Sequence, residues 1–150
     1  MIIAIACDHA GFPLKQIVVE SIHQAGYQSI DLGTDSTAPV DYPDYAEKLG
    51  KIIVSGKADR GILLCGSGVG ACIAANKITG VYASVCHDTY SAHQGVEHDN
   101  MNVLCLGARI VGDELAAEIV KNFLSAEFLN SGNYLRRFEK IQKIENKPSK

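Results

Sequence analysis

An α/β sandwich built on a parallel sheet is what this sequence predicts, and two features of the 150-residue chain carry the prediction. Short, continuously apolar runs alternate with amphipathic helical stretches, and the runs are too unbroken for strands with one wet face. Such strands belong in a parallel sheet covered on both sides, and the right-handed crossover rule then distributes the helices over both faces.

Each element follows in order. Ile2–Cys7 is an apolar run of strand length, and Phe12–Ala25 sets Leu14, Ile17, Val18, Ile22 and Ala25 at helical spacing, with Pro13 in the first turn and Gly26 as the stop. Tyr27–Leu32 is the second strand, Gly33–Asp41 a turn-rich loop, and Tyr42–Ser55 a helix with Ala46, Leu49, Ile52 and Ile53 inward. Arg60–Cys65 is the third strand, Gly68–Ile78 a helix, Val81–Cys86 a strand, Thr89–Glu97 a short helix and Asn102–Leu106 the fifth strand. Asp113–Phe128 reads as a long helix with Leu115, Ala116, Ile119, Val120, Phe123 and Leu124 on its apolar face. After a turn at Asn130–Asn133, Tyr134–Glu145 is expected to form a basic amphipathic helix striped by Leu135, Phe138, Ile141 and Ile144, and Lys147–Lys150 a disordered tail. The sum is a doubly wound three-layer α/β/α sandwich, Rossmann-like, with five parallel strands in one domain over residues 1–150.

Composition narrows the partners. A hydrophobic content of 47% suits one full core, and a net charge of −3 gives no basic field for nucleic acid. The longest apolar runs are far too short to span a bilayer. Met1 runs straight into the first strand, without a basic n-region or a small-residue cleavage site, so the expected location is cytoplasmic. Five cysteines, Cys7, Cys65, Cys72, Cys86 and Cys105, include no C-x-x-C pair and sit mostly in apolar runs. That pattern argues against a disulfide framework or a zinc site, and four of them read as small buried hydrophobes.

Cys65 differs by position. In Leu63-Leu64-Cys65-Gly66-Ser67-Gly68-Val69-Gly70 a thiol stands where an apolar strand gives way to a glycine-rich turn and a helix. Gly66-x-Gly68-x-x-Ala71 meets a permissive dinucleotide pattern, with Asp88 near the end of the following strand, yet the turn follows the third strand and no second domain exists to hold a hydride partner. A thiol phosphatase wants a cation on its phosphate loop, and Gly66 to Cys72 contains neither Arg nor Lys. A serine nucleophile elbow would need glycine where Cys65 and Val69 stand. There remains a thiol beside a nest of amides. A thiolate at a helix N-terminus is favoured by the dipole and by donated N–H bonds, and such a thiolate serves as a base. The amides of Gly66 to Gly70 would hold the oxyanion formed when a proton leaves carbon next to a carbonyl. The plainer reading is that the glycines permit a tight turn and Cys65 packs in the sheet.

Other strand ends bear on that choice. Asp8-His9 follows the first strand and should reach the same edge as Cys65, where a carboxylate can bind sugar hydroxyls and an imidazole phosphate; Asp8 is equally suited to capping the next helix. His98, in Glu97-His98-Asp99-Asn100, is expected in a polar loop suited to acid–base work, whereas His23 and His87 read as marginal or loop-lining residues. Arg109, Arg136 and Arg137 supply the cations that the glycine loop lacks.

The chain resembles the type B ribose-5-phosphate isomerases and their galactose-6-phosphate isomerase relatives. The resemblance rests on Ala6-Cys7-Asp8-His9-Ala10-Gly11-Phe12, Asp41-Tyr42-Pro43, Gly61 to Gly70, Ile73-Ala74-Ala75-Asn76-Lys77, Asn102-Val103-Leu104 and Gly107 to Gly112. It implies an aldose–ketose isomerase of the pentose phosphate pathway, working through an enediolate with no metal or coenzyme. By position it makes Cys65 the proton-transferring base, Ser67 its hydroxyl neighbour, and the run Gly66, Ser67, Gly68, Val69 and Gly70 the anion hole. His98 would assist ring opening, Asp8 would bind sugar hydroxyls, and His9, Arg109 and Arg137 would hold phosphate. It also implies a homodimer, or a tetramer, in which His98 and Arg109 complete a partner's pocket.

Two departures stand out. The family pattern after the histidine is asparagine then aspartate, whereas here Asp99 precedes Asn100. In the C-terminal segment, where the family places two arginines four residues apart with histidine after the first, this chain has Asn133, Tyr134 and Arg137, with Arg136 the candidate replacement cation. A lost charge-assisted phosphate contact costs about 1.5–3 kcal/mol, enough to change affinity tenfold. A six-carbon aldose 6-phosphate such as allose or galactose 6-phosphate, or a non-catalytic phosphosugar-binding module, are the alternative readings.

Overall fold

The computed structural model describes residues 1–148. Residues 149–150, the end of the expected disordered tail, lie outside them. The elements run β1 (Ile2–Cys7), α1 (Phe12–Gln24), β2 (Gln28–Asp31), α2 (Tyr42–Val54), β3 (Arg60–Cys65), α3 (Val69–Ala75), β4 (Ala83–Val85), α4 (Thr89–Asp99), β5 (Val103–Gly107), α5 (Asp113–Ser125) and α6 (Gly132–Glu145). Every strand pairing is parallel, in the order β2-β1-β3-β5-β4. The predicted three-layer α/β/α sandwich with its five-stranded parallel sheet is the observed fold. Among the described residues no helix is long and apolar enough to cross a membrane.

Strand alternation divides the core. Ile3, Ile5, Ile62, Leu64, Leu104 and Leu106 pack with α1, α4 and α5, while Ala4, Ala6, Leu63, Cys65, Val103 and Cys105 pack with α2 and α3. Because the sheet winds both ways from β1, a crevice opens between the C-terminal ends of β1 and β3, where doubly wound sheets bind ligands.

Several boundaries move, each for a local reason. Helix α1 stops at Gln24, because Gly26 at φ +83° takes the left-handed conformation, and Ala25, expected inward, is exposed. Helix α3 ends early because the Asn76 side chain both donates to the Ala83 carbonyl and accepts from its N–H, each at 2.8 Å. Strand β4 shrinks because the Asn102 side chain takes the Tyr82 N–H at 2.8 Å. Helix α5 stops at Ser125, where the Arg60 guanidinium bonds the carbonyls of Phe123 and Ala126, and Leu115 on its expected apolar face is 39% exposed. Helix α6 begins two residues sooner than expected, at Gly132, and seats Phe138 edge-on against Tyr82 and Phe128, while Ile141 and Ile144 of its predicted stripe stay exposed.

Lys15 is the buried charge that sequence reading did not single out. Its ammonium lies 2.8 Å from Asp31 Oδ2, 3.1 Å from Asp35 Oδ1 and 2.7 Å from the Thr34 carbonyl, pinning the start of the 33–41 loop. Burial opposes its charge, and the bonds to Asp31 and Asp35 outweigh burial, so its pKa lies above the ordinary lysine value.

Candidate active site

Cys65 closes β3, and the chain then turns through Gly66-Ser67-Gly68 into α3. Gly68 adopts φ +83°, open to glycine and strained for other residues, and this conformation lets its N–H donate to Cys65 Sγ at 3.0 Å. Among the described residues the N–H groups of Gly66 and Ser67 have no protein acceptor, and Ser67 Oγ accepts the Val69 N–H at 3.3 Å. A thiol held by one amide, with two further donors beside it, is what the turn builds.

The neighbouring strand ends supply the walls. After β1, Asp8 Oδ1 accepts the N–H groups of Ala10 at 2.9 Å and Gly11 at 2.8 Å, so Asp8 holds the turn into α1 and also lines the cavity. His9 Nδ1 lies 3.1 Å from the Val40 nitrogen and 3.2 Å from the Val40 carbonyl oxygen, so Val40 orients the ring through Nδ1. After β5, Ala108 N–H bonds the Cys65 carbonyl at 2.8 Å and Arg109 N–H the Gly66 carbonyl at 3.1 Å, and the Arg109 guanidinium extends over Gly66. Tyr42, at the start of α2, lays its ring against Gly70. Asp8, His9, Ala10, Tyr42, Cys65, Gly66, Ser67, Gly70, Arg109 and Ile110 enclose a cavity of about 370 Å³, within the range of small-ligand sites. A hollow of about 470 Å³ between α1 and α5, lined by Ser21, Tyr27, Glu118 and Lys121, lies beside the N-terminal start of β2 and away from the thiol. Among the described residues no group of three or more His, Cys, Asp or Glu converges as a metal set.

A family model described as Ribose/Galactose Isomerase matches residues 3–141. The chain belongs to that family. It is 45% identical over 143 residues to ribose-5-phosphate isomerase B of Escherichia coli K12, covering 95% of each chain, and 44% identical over 144 residues to D-erythrulose-4-phosphate isomerase of Pectobacterium atrosepticum, covering 95% of this chain and 91% of the relative. Its fold matches that of ribose-5-phosphate isomerase B from Clostridium thermocellum with a TM-score of 0.94, at 44% identity, covering 99% of this chain and 100% of that one. The Mycoplasma genitalium enzyme, solved with bound ribulose 5-phosphate, matches with a TM-score of 0.89 at 41% identity, covering 98% of this chain and 97% of that one.

In this isomerase-family chain the predicted site residues divide into two groups. Asp8, His9, Cys65, Gly66, Ser67, Gly70 and Arg109 meet at the cavity, with Gly68 in the turn and Val69 at the start of α3 beside it. Within its own chain the Arg109 guanidinium lies over Gly66. His98, Asp99, Asn133 and Arg137 are absent from the cavity wall. His98 is not in a loop: it occupies the last turn of α4, because the helix runs on until Asn100 at φ +54° supplies a left-handed end. There Gln94 Nε2 donates to His98 Nδ1 at 2.7 Å, and the imidazole stacks on Tyr134 of α6 with ring centroids 4.6 Å apart. Asp99 lines a separate hollow of about 430 Å³ with Tyr82, Ser91 and Ile141. Asn133, Arg136 and Arg137 are exposed on α6, so Arg136 does not turn inward.

Sequence reading assigned no role to Tyr42, although it sits in the matched Asp41-Tyr42-Pro43, and passed over His87, whose Nε2 accepts the Gly107 N–H at 2.9 Å. It also took Cys72 for a buried hydrophobe. Cys72 is only half-buried, and a bond from the Cys105 thiol lowers its pKa to about 7 against the opposing effect of burial, with help from the Val85 backbone and Asn76.

Proposed function

We propose that this chain interconverts ribose 5-phosphate and ribulose 5-phosphate, with Cys65 as the base. The observation that carries the reading is the Cys65 thiol, held by the Gly68 N–H at 3.0 Å inside a cavity that Arg109 and His9 also line. In the open-chain aldose the thiolate takes the proton from C2, and the C1 oxygen becomes an enediolate oxygen facing the free amides of Gly66 and Ser67. The Ser67 hydroxyl passes a proton between O1 and O2, and the Cys65 thiol returns its proton to C1, giving the ketose. Asp8 binds sugar hydroxyls through the oxygen not engaged by the turn, and His9 and Arg109 meet the phosphate.

Ring opening and the remaining phosphate contacts fall to His98, Asp99, Asn133 and Arg137, which lie off the cavity of their own chain. We read the site as shared between two copies, each carrying its α4–α6 corner to the other's cavity mouth. In support, the outer face of α3 and the cavity rim expose Val69 at 52%, Ile73 at 58% and Ile110 at 59%, apolar surface that a second copy would cover. A cytoplasmic setting fits such a reaction and the apolar placement of the free cysteines.

A six-carbon aldose 6-phosphate is the second reading, favoured by the family's description and by Asn133 standing where the resemblance expects an arginine. Turnover across tetrose, pentose and hexose phosphates separates them. The first reading expects the highest kcat/KM on ribose 5-phosphate, and a hexose phosphate turned over faster would contradict it. Binding without exchange of the C2 proton with solvent would instead identify a non-catalytic module.

A further inference from the structure

The β4–β5 ladder ends in an unusual way. Val103 donates its N–H to the Tyr82 carbonyl at 3.2 Å, Val85 pairs with Cys105, and Cys86 N–H reaches the Cys105 carbonyl at 3.3 Å. In a parallel ladder every second N–H of β5 points to the same neighbour, so the Gly107 N–H is next. Strand β4 has ended at Val85, and the Gly107 N–H donates instead to His87 Nε2 at 2.9 Å. An accepting Nε2 carries no hydrogen, so the ring is neutral with its proton on Nδ1. Burial favours that form by lowering the His87 pKa, against the adjacent Asp88, whose carboxylate accepts the Ser91 N–H at 2.7 Å.

The Gly107 peptide holds much of the site. A Cβ on Gly107 would stand 2.7 Å from the Ser67 carbonyl carbon, so only glycine lets the loop lie this close. The Gly107 carbonyl accepts from Ile110 at 2.9 Å and Val111 at 3.1 Å, closing the turn that carries Arg109. His87 itself is absent from the cavity wall.

We infer that His87 is a positioning residue: its neutral ring replaces a missing strand carbonyl, fixes the Gly107 peptide, and through it sets Ser67 and Arg109 against the substrate. The kinetic consequence rests on the isomerase reading above. Leucine at this position removes the acceptor and strands a buried N–H, while glutamine places an amide oxygen at about the reach of Nε2.

The test combines kinetics with nitrogen-15 NMR of the full-length protein. His87→Leu is expected to lower kcat/KM for ribose 5-phosphate roughly tenfold to a hundredfold, most of it in kcat, because small displacements at a reacting centre cost rate. His87→Gln is expected to stay within about threefold of the parent, since the acceptor is kept. In the parent, the imidazole spectrum should report an Nδ1–H tautomer, and the Gly107, Ser67 and Arg109 signals should move in His87→Leu but not in His87→Gln. An Nε2–H tautomer, or parent-like kinetics in His87→Leu, would overturn the inference. If the parent fails to turn over ribose 5-phosphate, the functional reading falls. The positioning role is then decided by the Ser67 and Arg109 signals, and their constancy in His87→Leu would overturn it. Should His87→Leu fail to fold, the tautomer of the parent and rescue by His87→Gln decide the matter.

Discussion

Cys65 and Cys72 flank the same glycine turn and face different surroundings. Cys65, 5% exposed, faces the cavity with one amide on its sulfur, whereas Cys72 is half-buried behind the loop with its pKa lowered to about 7. A lowered pKa means that the Cys72 thiolate is populated as pH rises through that value. Alkylation of Cys72, followed by peptide mass mapping, should therefore be half-maximal near pH 7; labelling that begins only above the ordinary thiol value of 9.0 would contradict it. Cys7, pushed up to about 11 by burial, should stay unlabelled at neutral pH. At this scale the sequence was informative where chemistry and position coincide. Cys65, Asp8 and His9 stand at strand ends, and strand ends converge. Cys72 and His87 were missed because their environments come from Cys105 and Gly107, residues brought beside them only by the sheet.

Lys15 shows how one element holds another. It ties α1 to the loop after β2 through Asp31, Thr34 and Asp35, and that loop ends at Val40, the partner of His9. Lys15→Met should cost about 1–2 kcal/mol in urea denaturation at neutral pH, discounted for the exposure of Asp35. Because the Lys15 pKa is raised in the folded state, its contribution is complete below the ordinary value of 10.5 and disappears as pH climbs through the raised one. Parent and variant should thus converge in strongly alkaline buffer, and a gap that persists there would show that packing, not charge, is lost. Element identity was legible from apolar runs and their spacing, since every predicted strand and helix is present. The ends were not, because Asn76, Asn102 and Arg60 close backbone groups from 7, 20 and more residues away. The same holds for His98, whose polar neighbours resemble a loop in sequence yet complete α4 on its solvated side.

At the scale of the whole molecule, the cavity holds Cys65, the proposed base, together with His9 and Arg109, while His98 and Arg137 stand elsewhere on the same chain. On the shared-site reading proposed above, a two-fold dimer would bring them together by exchange of corners. Co-refolding Cys65→Ala with His98→Ala, each expected to be nearly inactive alone, should recover about one quarter of parent activity, because random pairing makes half the dimers mixed and each mixed dimer keeps one intact site. Recovery no greater than the single variants' own activity would contradict a shared site. The resemblance implies that His98 completes a partner's pocket, whereas spacing and composition alone leave all these residues equally available. The central claim is that Cys65 moves the C2 proton of a phosphosugar, and the most direct test follows ribose 5-phosphate in heavy water by proton NMR. The parent should form ribulose 5-phosphate and incorporate deuterium, and Cys65→Ala, folded by circular dichroism, should lose roughly 10²–10⁴-fold in both rates. Undiminished isomerisation and exchange in Cys65→Ala would contradict the account.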